Sequence, residues 1–106
     1  METYILVYVT CPKDEAEKLA ERLLQERLAA CVNIVDNVKS VFHWQGKIAR
    51  AEESLLMIKS KKSLLNELTN VVQMYHSYDV PEIIAMPILG GSDEYLNWLN
   101  AETLDL

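Results

Sequence analysis

Four side chains in the sequence have the chemistry to bind a soft metal ion. Copper and zinc favour thiolate and imidazole ligands, and the chain offers Cys11, Cys31, His43 and His76. None of them forms a close pair such as Cys-x-x-Cys, so a metal site would have to be assembled by the fold. Because the chain has only two cysteines, a disulfide framework and a four-cysteine zinc site are excluded within one chain.

The elements that would position these residues follow from hydrophobic periodicity. The apolar run over residues 4–9 predicts a strand that is covered on at least one face. From Asp14 onward, apolar residues recur at helical spacing, which predicts an amphipathic helix. A second helix is predicted after Ser60 or Ser63, either of which can cap it, and its buried stripe extends to Tyr75.

The last part of the chain predicts a strand and a short helix. Residues 82–89 have strand character, and Pro87 within them favours a sheet edge or a bulge. Ser92 or Asp93 can cap the final helix. The order β-α-β-β-α-β-α begins with the six elements of the ferredoxin-like double split βαβ. We therefore predict a single α+β domain over residues 1–106, with strand order 4-1-3-2, antiparallel neighbours, the first two helices on one face and an extra C-terminal helix.

Residues 31–59 predict a long hairpin between the second and third strands, turning at Gln45-Gly46 and bent at Asp36-Asn37. Alternation in its first arm predicts one shared apolar face, formed by Val32, Ile34, Val38, Phe42 and Trp44. An arm of roughly 13 residues spans on the order of 43 Å, whereas a chain of this length has a radius of gyration of about 13 Å. Strand edges that extend so far beyond a domain invite pairing, so the hairpin predicts an oligomer.

This topology separates the two cysteines. The first strand ends where the second helix ends, so Cys11 and the loop that begins at His76 lie at the same end of the sheet. Cys31 begins the second strand at the opposite end, and the two cysteines therefore should not share an ion. Cys11 with His76 is the more plausible pair, and Cys11, ahead of Pro12, is expected to be accessible. Cys31 is expected to be packed or interfacial, because free cysteines usually act as small apolar side chains.

A second set of polar and aromatic residues lies near the ends of the long elements. If hairpins of different subunits interlock, these residues can meet in an intersubunit cleft: Trp44, Glu53, Lys59, Tyr78 and Glu82. An ion pair between Lys59 and Glu82 that only fixes the interface is the alternative interpretation.

Composition and missing motifs exclude several functions. The formal net charge is −6 and no basic cluster is present, so neither nucleic acid nor an anionic membrane is an expected partner. The first apolar run is too short for a signal peptide or a membrane span, and we expect a cytoplasmic protein with reduced cysteines. No glycine-rich phosphate loop follows the first strand, and Cys11 with His76 has no orienting third residue for nucleophilic catalysis. The protein is therefore not expected to be an enzyme.

Five blocks of the sequence, in order, resemble the signature of the CutA divalent-cation tolerance proteins. They are ERLAACVN at 26–33, FHWQGKI at 42–48, LMIK at 56–59, HSYDVPE at 76–82 and YLNWL at 95–99. The resemblance implies a ferredoxin-like subunit in a PII-like homotrimer. It also implies a cytoplasmic role in tolerance of copper and other divalent metals, with copper binding described for the family.

The resemblance also carries over a recurrent polar set. Its members here are Cys31, Trp44, Glu53, Lys59, His76, Tyr78 and Glu82, whereas Cys11 occupies a position where only some relatives have cysteine. The leading hypothesis is a trimeric, metal-binding or metal-responsive protein that binds copper or another divalent ion through Cys11, Cys31 and His76. The alternative is a PII-like sensor or scaffold that binds a small metabolite or a partner protein in the intersubunit cleft.

Overall fold

A computed structural model describes residues 2–105. It contains four strands, three α-helices and a single 3-10 turn at Lys62–Leu64. The strands are β1 (Tyr4–Cys11), β2 (Cys31–Trp44), β3 (Lys47–Lys61) and β4 (Ile83–Pro87). The helices are α1 (Lys13–Gln25), α2 (Leu65–Tyr75) and α3 (Asp93–Ala101). This is the element order that the sequence predicts, and no helix within the described range is long and apolar enough to span a membrane.

The four strands form one antiparallel sheet in the order β2-β3-β1-β4. This is the predicted 4-1-3-2 order, counted from the other edge. Pro87 lies in the edge strand β4, opposite Ile5, where a residue without an amide hydrogen is tolerated.

The main core lies between the sheet and the first two helices. Alternate residues of β1 are buried, namely Ile5, Val7, Val9 and Cys11. They belong to one cluster with Leu19 and Leu23 of α1 and with Leu68 and Val72 of α2. The predicted stripe of α2 is wrong at its last position, because Tyr75 is exposed. Its ring lies 4.6 Å from the Arg22 guanidinium on the outer surface.

The long hairpin turns through two residues with positive φ, Gln45 at 50° and Gly46 at 77°. This is the combination that a tight type I′ turn requires. β1 pairs with β3 only from Ser54 onward, so residues 47–53 of β3 are paired with β2 alone. The predicted hairpin is confirmed, and its distal half projects beyond the rest of the sheet.

The predicted bend is a β-bulge. Val35 pairs with Leu55 and Val38 with Glu53, so two residues of β2, Asp36 and Asn37, lie opposite one residue of β3. Asn37 has φ of 61°, and the Asp36 carboxylate accepts a hydrogen bond of 2.6 Å from the Ser54 hydroxyl.

The bulge overturns the prediction of one shared apolar face in the first arm. Val32 and Ile34 pack against the main core. The extra residue shifts the alternation, so Val38, opposite Glu53, lies on the other face together with Phe42 and Trp44.

The predicted caps of α2 are also wrong. Ser60 belongs to β3, where its hydroxyl donates to the Leu28 carbonyl at 2.6 Å. Ser63 lies in the 3-10 turn, and α2 begins after Leu64 without a side-chain cap. The cap of α3 is confirmed, because Ser92 accepts a hydrogen bond from the Tyr95 amide at 3.3 Å.

The third helix and the segment after it pack on the sheet face opposite α1 and α2. Lys61, which is fully buried, donates to the Leu104 carbonyl at 3.1 Å on this face. The remainder of the face, here called the open sheet face, is not covered by the described residues. Register places the following side chains on it: Leu6, Tyr8, Val35, Leu55, Met57, Ile84 and Met86.

Candidate functional site

His76 ends α2 and lies at the carboxyl end of β1, as the topology predicts. Its side chain is 7% exposed. Nε2 lies 2.7 Å from the Thr10 carbonyl oxygen, and the Tyr78 amide donates to Nδ1 at 3.0 Å. An amide can only donate, so Nδ1 is the acceptor and Nε2 carries the ring hydrogen. This assignment rests on the two partners, and it leaves both ring nitrogens engaged.

Tyr78 connects His76 to a buried carboxylate. Its hydroxyl donates to Glu53 Oε2 at 3.1 Å, and its ring centroid lies 4.8 Å from that of His76. Burial and the hydrogen bond to Glu53 raise the pKa of Tyr78. Between them, the Ser77 amide donates to Glu15 Oε1 at 3.1 Å. Residues 76–78 are therefore tied to β1, β3 and α1 at once.

The expectation that Cys11 is accessible is wrong. Cys11 is the last residue of β1 and is 0% exposed. Its inward position continues the alternation of Ile5, Val7 and Val9, and this signal was present in the sequence. Burial first, and then the nearby carboxylates of Glu15 and Glu53, raise the pKa of Cys11 to about 11. At neutral pH the group is a thiol, whereas metal binding and nucleophilic attack need the thiolate.

Cys31 lies at the other end of the sheet and is half-buried. It pairs with Lys59 of β3, while Cys11 pairs with Ser54. Five residues along a strand separate the two by about 17 Å. Burial, followed by the nearby Cys31 thiol, raises the pKa of Tyr95 on α3. By register, the Cys31 side chain lies on the same sheet face as Lys61, the face on which α3 packs.

The five residues predicted for an intersubunit cleft are not together in one subunit. Glu53 and Tyr78 are in contact, but Lys59 lies six residues farther along β3, or about 20 Å away. The Lys59 ammonium instead donates to Asn33, a partner that the sequence analysis missed. Trp44 is exposed at the hairpin tip and Glu82 is exposed beside β4. A cleft formed by several subunits stays a prediction.

The described residues do not contain a preformed metal centre. Within residues 2–105, no group of three His, Cys, Asp or Glu side chains has an arrangement that could hold an ion. Cys11 is a buried thiol, and both nitrogens of His76 have partners. The donor set of one subunit therefore does not fit a resident metal ion.

Fold and site together define a class: small α+β proteins of ferredoxin-like topology, with a projecting hairpin and a sheet face that lacks a cover. Residues 5–102 match the family described as CutA1 divalent ion tolerance protein. The chain belongs to this CutA1 divalent ion tolerance family.

Individual relatives agree with this assignment. The chain is 56% identical over 100 residues to the chloroplastic protein CutA of Arabidopsis thaliana, and the aligned region covers 93% of this chain but 55% of that protein. It is 43% identical over 99 residues to the divalent-cation tolerance protein CutA of Thermus thermophilus, covering 92% and 96% of the two chains. The crystal structure of CutA1 from Oryza sativa matches with a TM-score of 0.96 at 48% identity, covering 98% of this chain and 96% of that one. The chain thus spans about half the length of the Arabidopsis relative and nearly all of the Thermus relative.

Proposed function

We propose that the chain acts in divalent-cation tolerance as a non-enzymatic homotrimer that binds a cuprous ion or a soft divalent ion where subunits meet. The open sheet face is the observation that carries this proposal. Ile84 and Met86 on β4 and Val35 on β2 are exposed there, with Ile84 53% exposed. Large exposed apolar surfaces of this kind are typical of interaction sites.

The projecting hairpin supports assembly as well. Within residues 2–105, the two arms of its distal half pair only with each other. Several large apolar side chains are exposed along it: Val41, Phe42, Trp44 and Ile48. A neighbouring subunit would cover these side chains and pair with the outer edge of β2.

Cys31 is the cysteine that supports cation binding between subunits. Its side chain shares the sheet face that carries the exposed apolar residues, whereas Cys11 lies in the main core. The protonated, buried state of Cys11 also supports the absence of cysteine-dependent catalysis. Both thiols are free, which suits a reducing compartment, and we propose the cytoplasm.

Copper(I) titration of the reduced, assembled protein against a competing chelator tests this function. We expect Cys31→Ala to weaken binding about tenfold or more, because it removes a ligand, and even the loss of a partner that only supports a ligand typically costs about 10- to 100-fold in affinity. Cys11→Ala is the matched control and should bind as the wild type does. Equal affinity in all three proteins would contradict cation binding through Cys31.

A further inference from the structure

His76 makes two hydrogen bonds of opposite kind, and together they fix its chemistry. Nδ1 accepts from the Tyr78 amide, and Nε2 donates to the Thr10 carbonyl. A metal ion needs a ring nitrogen with a free lone pair. The lone pair of Nδ1 is already used, and Nε2 carries the hydrogen. With the ring 7% exposed, coordination of either nitrogen would require breaking one of these bonds and moving the backbone around it.

The same geometry sets the direction of the chain after α2. His76 has extended backbone angles, φ −81° and ψ 140°, so the helix stops at this residue. Its Nδ1 then holds the amide two residues later, which turns the Tyr78 side chain toward β3. There the hydroxyl reaches Glu53 Oε2 at 3.1 Å.

Glu53 depends on this arrangement. The carboxylate is 6% exposed, and among residues 2–105 the Tyr78 hydroxyl is the hydrogen-bond donor that the structure shows for it. A buried carboxylate without a donor is costly. No side chain of the described part forms a salt bridge with Glu53. The position of Tyr78 therefore decides whether Glu53 has a partner.

We infer that His76 is a positioning residue, held as the Nε2–H tautomer between Thr10 and Tyr78, which places the Tyr78 hydroxyl on Glu53 and is itself closed to metal ions. The positioning role does not depend on the proposed function. The closure of His76 to metal ions rests on the proposed function in one respect: it matters only if this protein binds a cation.

The tautomer is tested by ¹⁵N NMR of the imidazole nitrogens in the reduced, metal-free oligomer. The chain has two histidines, His43 and His76, so the His76 signals are assigned by comparison with a His43→Gln variant. We expect His76 to show a protonated Nε2 and a bare Nδ1. An Nδ1–H form or an averaged pattern at His76 would overturn the inference.

Two substitutions separate the two hydrogen bonds. His76→Asn places an oxygen near the position of Nδ1 and keeps an acceptor for the Tyr78 amide. His76→Gln extends an amide toward Thr10 and leaves the Tyr78 amide without its acceptor. The readout is the titration of the Tyr78 phenol, followed by ¹³C NMR of labelled tyrosine.

Loss of the Glu53 contact should bring the Tyr78 titration toward that of an exposed tyrosine. We expect this shift in His76→Gln, whereas His76→Asn should titrate like the wild type. A wild-type titration in His76→Gln, or the same shift in both variants, would refute the positioning role.

Closure to metal ions is tested by adding Zn²⁺ alone to the labelled wild-type protein. The ring nitrogens of His76 should keep their chemical shifts at every concentration. Movement of the His76 nitrogens towards the shifts of a metal-bound ring would show coordination and overturn the closure, whatever His43 does. The tautomer and the two variants are measured without metal, so they judge the positioning role even if the protein binds no cation.

Discussion

At the scale of single residues, the site is defined by hydrogen bonds that engage its polar groups. Thr10 and Tyr78 bind the His76 ring, and Glu15 binds the Ser77 amide; of these three partners, only Tyr78 lies in one of the five signature blocks. The types Cys11 and His76 indicate soft-metal chemistry, but their surroundings make one a buried thiol and the other a ring with two partners. Residue type thus set the candidates, and the local contacts decided what each one can do.

The alkaline stability of the protein should depend on Cys11. Its pKa is raised to about 11 in the folded chain, so the folded state holds the proton more tightly than the unfolded state does. The stabilisation is complete below about pH 9 and is lost as the pH rises towards 11. We expect the free energy of unfolding to fall by roughly 2 kcal/mol over this interval, measured by urea denaturation.

Cys11→Ala is the control, because it removes the titrating thiol and leaves the core apolar. Tyr78 and Tyr95 also have raised pKa values and add slopes of the same sign in both proteins, so the difference between wild type and variant reports Cys11 together with its minor coupling to Tyr78. Parallel pH profiles for the two proteins would disprove the assignment.

At the scale of elements, the sequence predicted all four strands, the three helices and the turn at Gln45-Gly46. These predictions rest on hydrophobic periodicity and turn chemistry, which are local properties of the sequence. Two local rules failed for reasons outside the segment concerned. Ser60 looks like a helix cap but is recruited by the Leu28 carbonyl, and the bulge interrupts an alternation that otherwise extends through β2.

The cleft residues show why the site was harder to predict than the fold. Glu53 and Tyr78 are 25 positions apart, and their contact depends on the His76 ring and on the end of α2. Lys59 was predicted for the same cleft but is bound to Asn33 on the neighbouring strand. Pairings of this kind depend on register and on side-chain direction, which periodicity does not reveal.

The hairpin turn should be sensitive to a side chain at position 46. Gly46 has φ of 77°, and a Cβ there would meet no atom within 4 Å, so Gly46→Ala tests backbone strain alone. We expect it to lower the free energy of unfolding by about 1 kcal/mol in urea denaturation at fixed protein concentration. Gly90 also has open space around it and no positive φ, so Gly90→Ala should be neutral or slightly stabilising. Equal effects of the two substitutions would argue against strain at the turn.

At the scale of the whole molecule, residues 2–105 form an elongated unit whose sheet is covered more fully on one face than on the other. Its principal extents are 44 × 25 × 21 Å, and the long axis exceeds what a compact chain of this length would need. α1 and α2 cover one face of the sheet, whereas α3 covers only one end of the other. An assembly of several subunits would bury both the open sheet face and the hairpin.

Oligomerisation should therefore be lost when a charge is placed on the open sheet face. Ile84→Glu would bury an unpaired carboxylate in each subunit of the assembly, which costs several kcal/mol per ion. We expect the wild type to sediment as a trimer at micromolar concentration. The trimer of the variant should dissociate at a protein concentration about 100-fold or more above that at which the wild-type trimer dissociates.

Met74→Glu is the matched control, since Met74 is exposed on α2, away from the open sheet face. This control should remain trimeric. A monomeric wild type, or an Ile84→Glu variant that sediments as the wild type does, would contradict the proposed assembly.

The bulge at Asp36-Asn37 has a consequence for how far the hairpin can vary. One surplus residue in β2 decides that Phe42 and Trp44, rather than Val41 and His43, share the side of Glu53. A homologue that lost this single position would present the inverted set of tip side chains to its neighbours, even with every other residue unchanged. Insertions and deletions in the distal arms should thus be tolerated when both arms change together and each side chain keeps its face of the strand. An odd number of residues gained or lost in one arm would move the side chains of that arm to the opposite face and change the surface that contacts a neighbour.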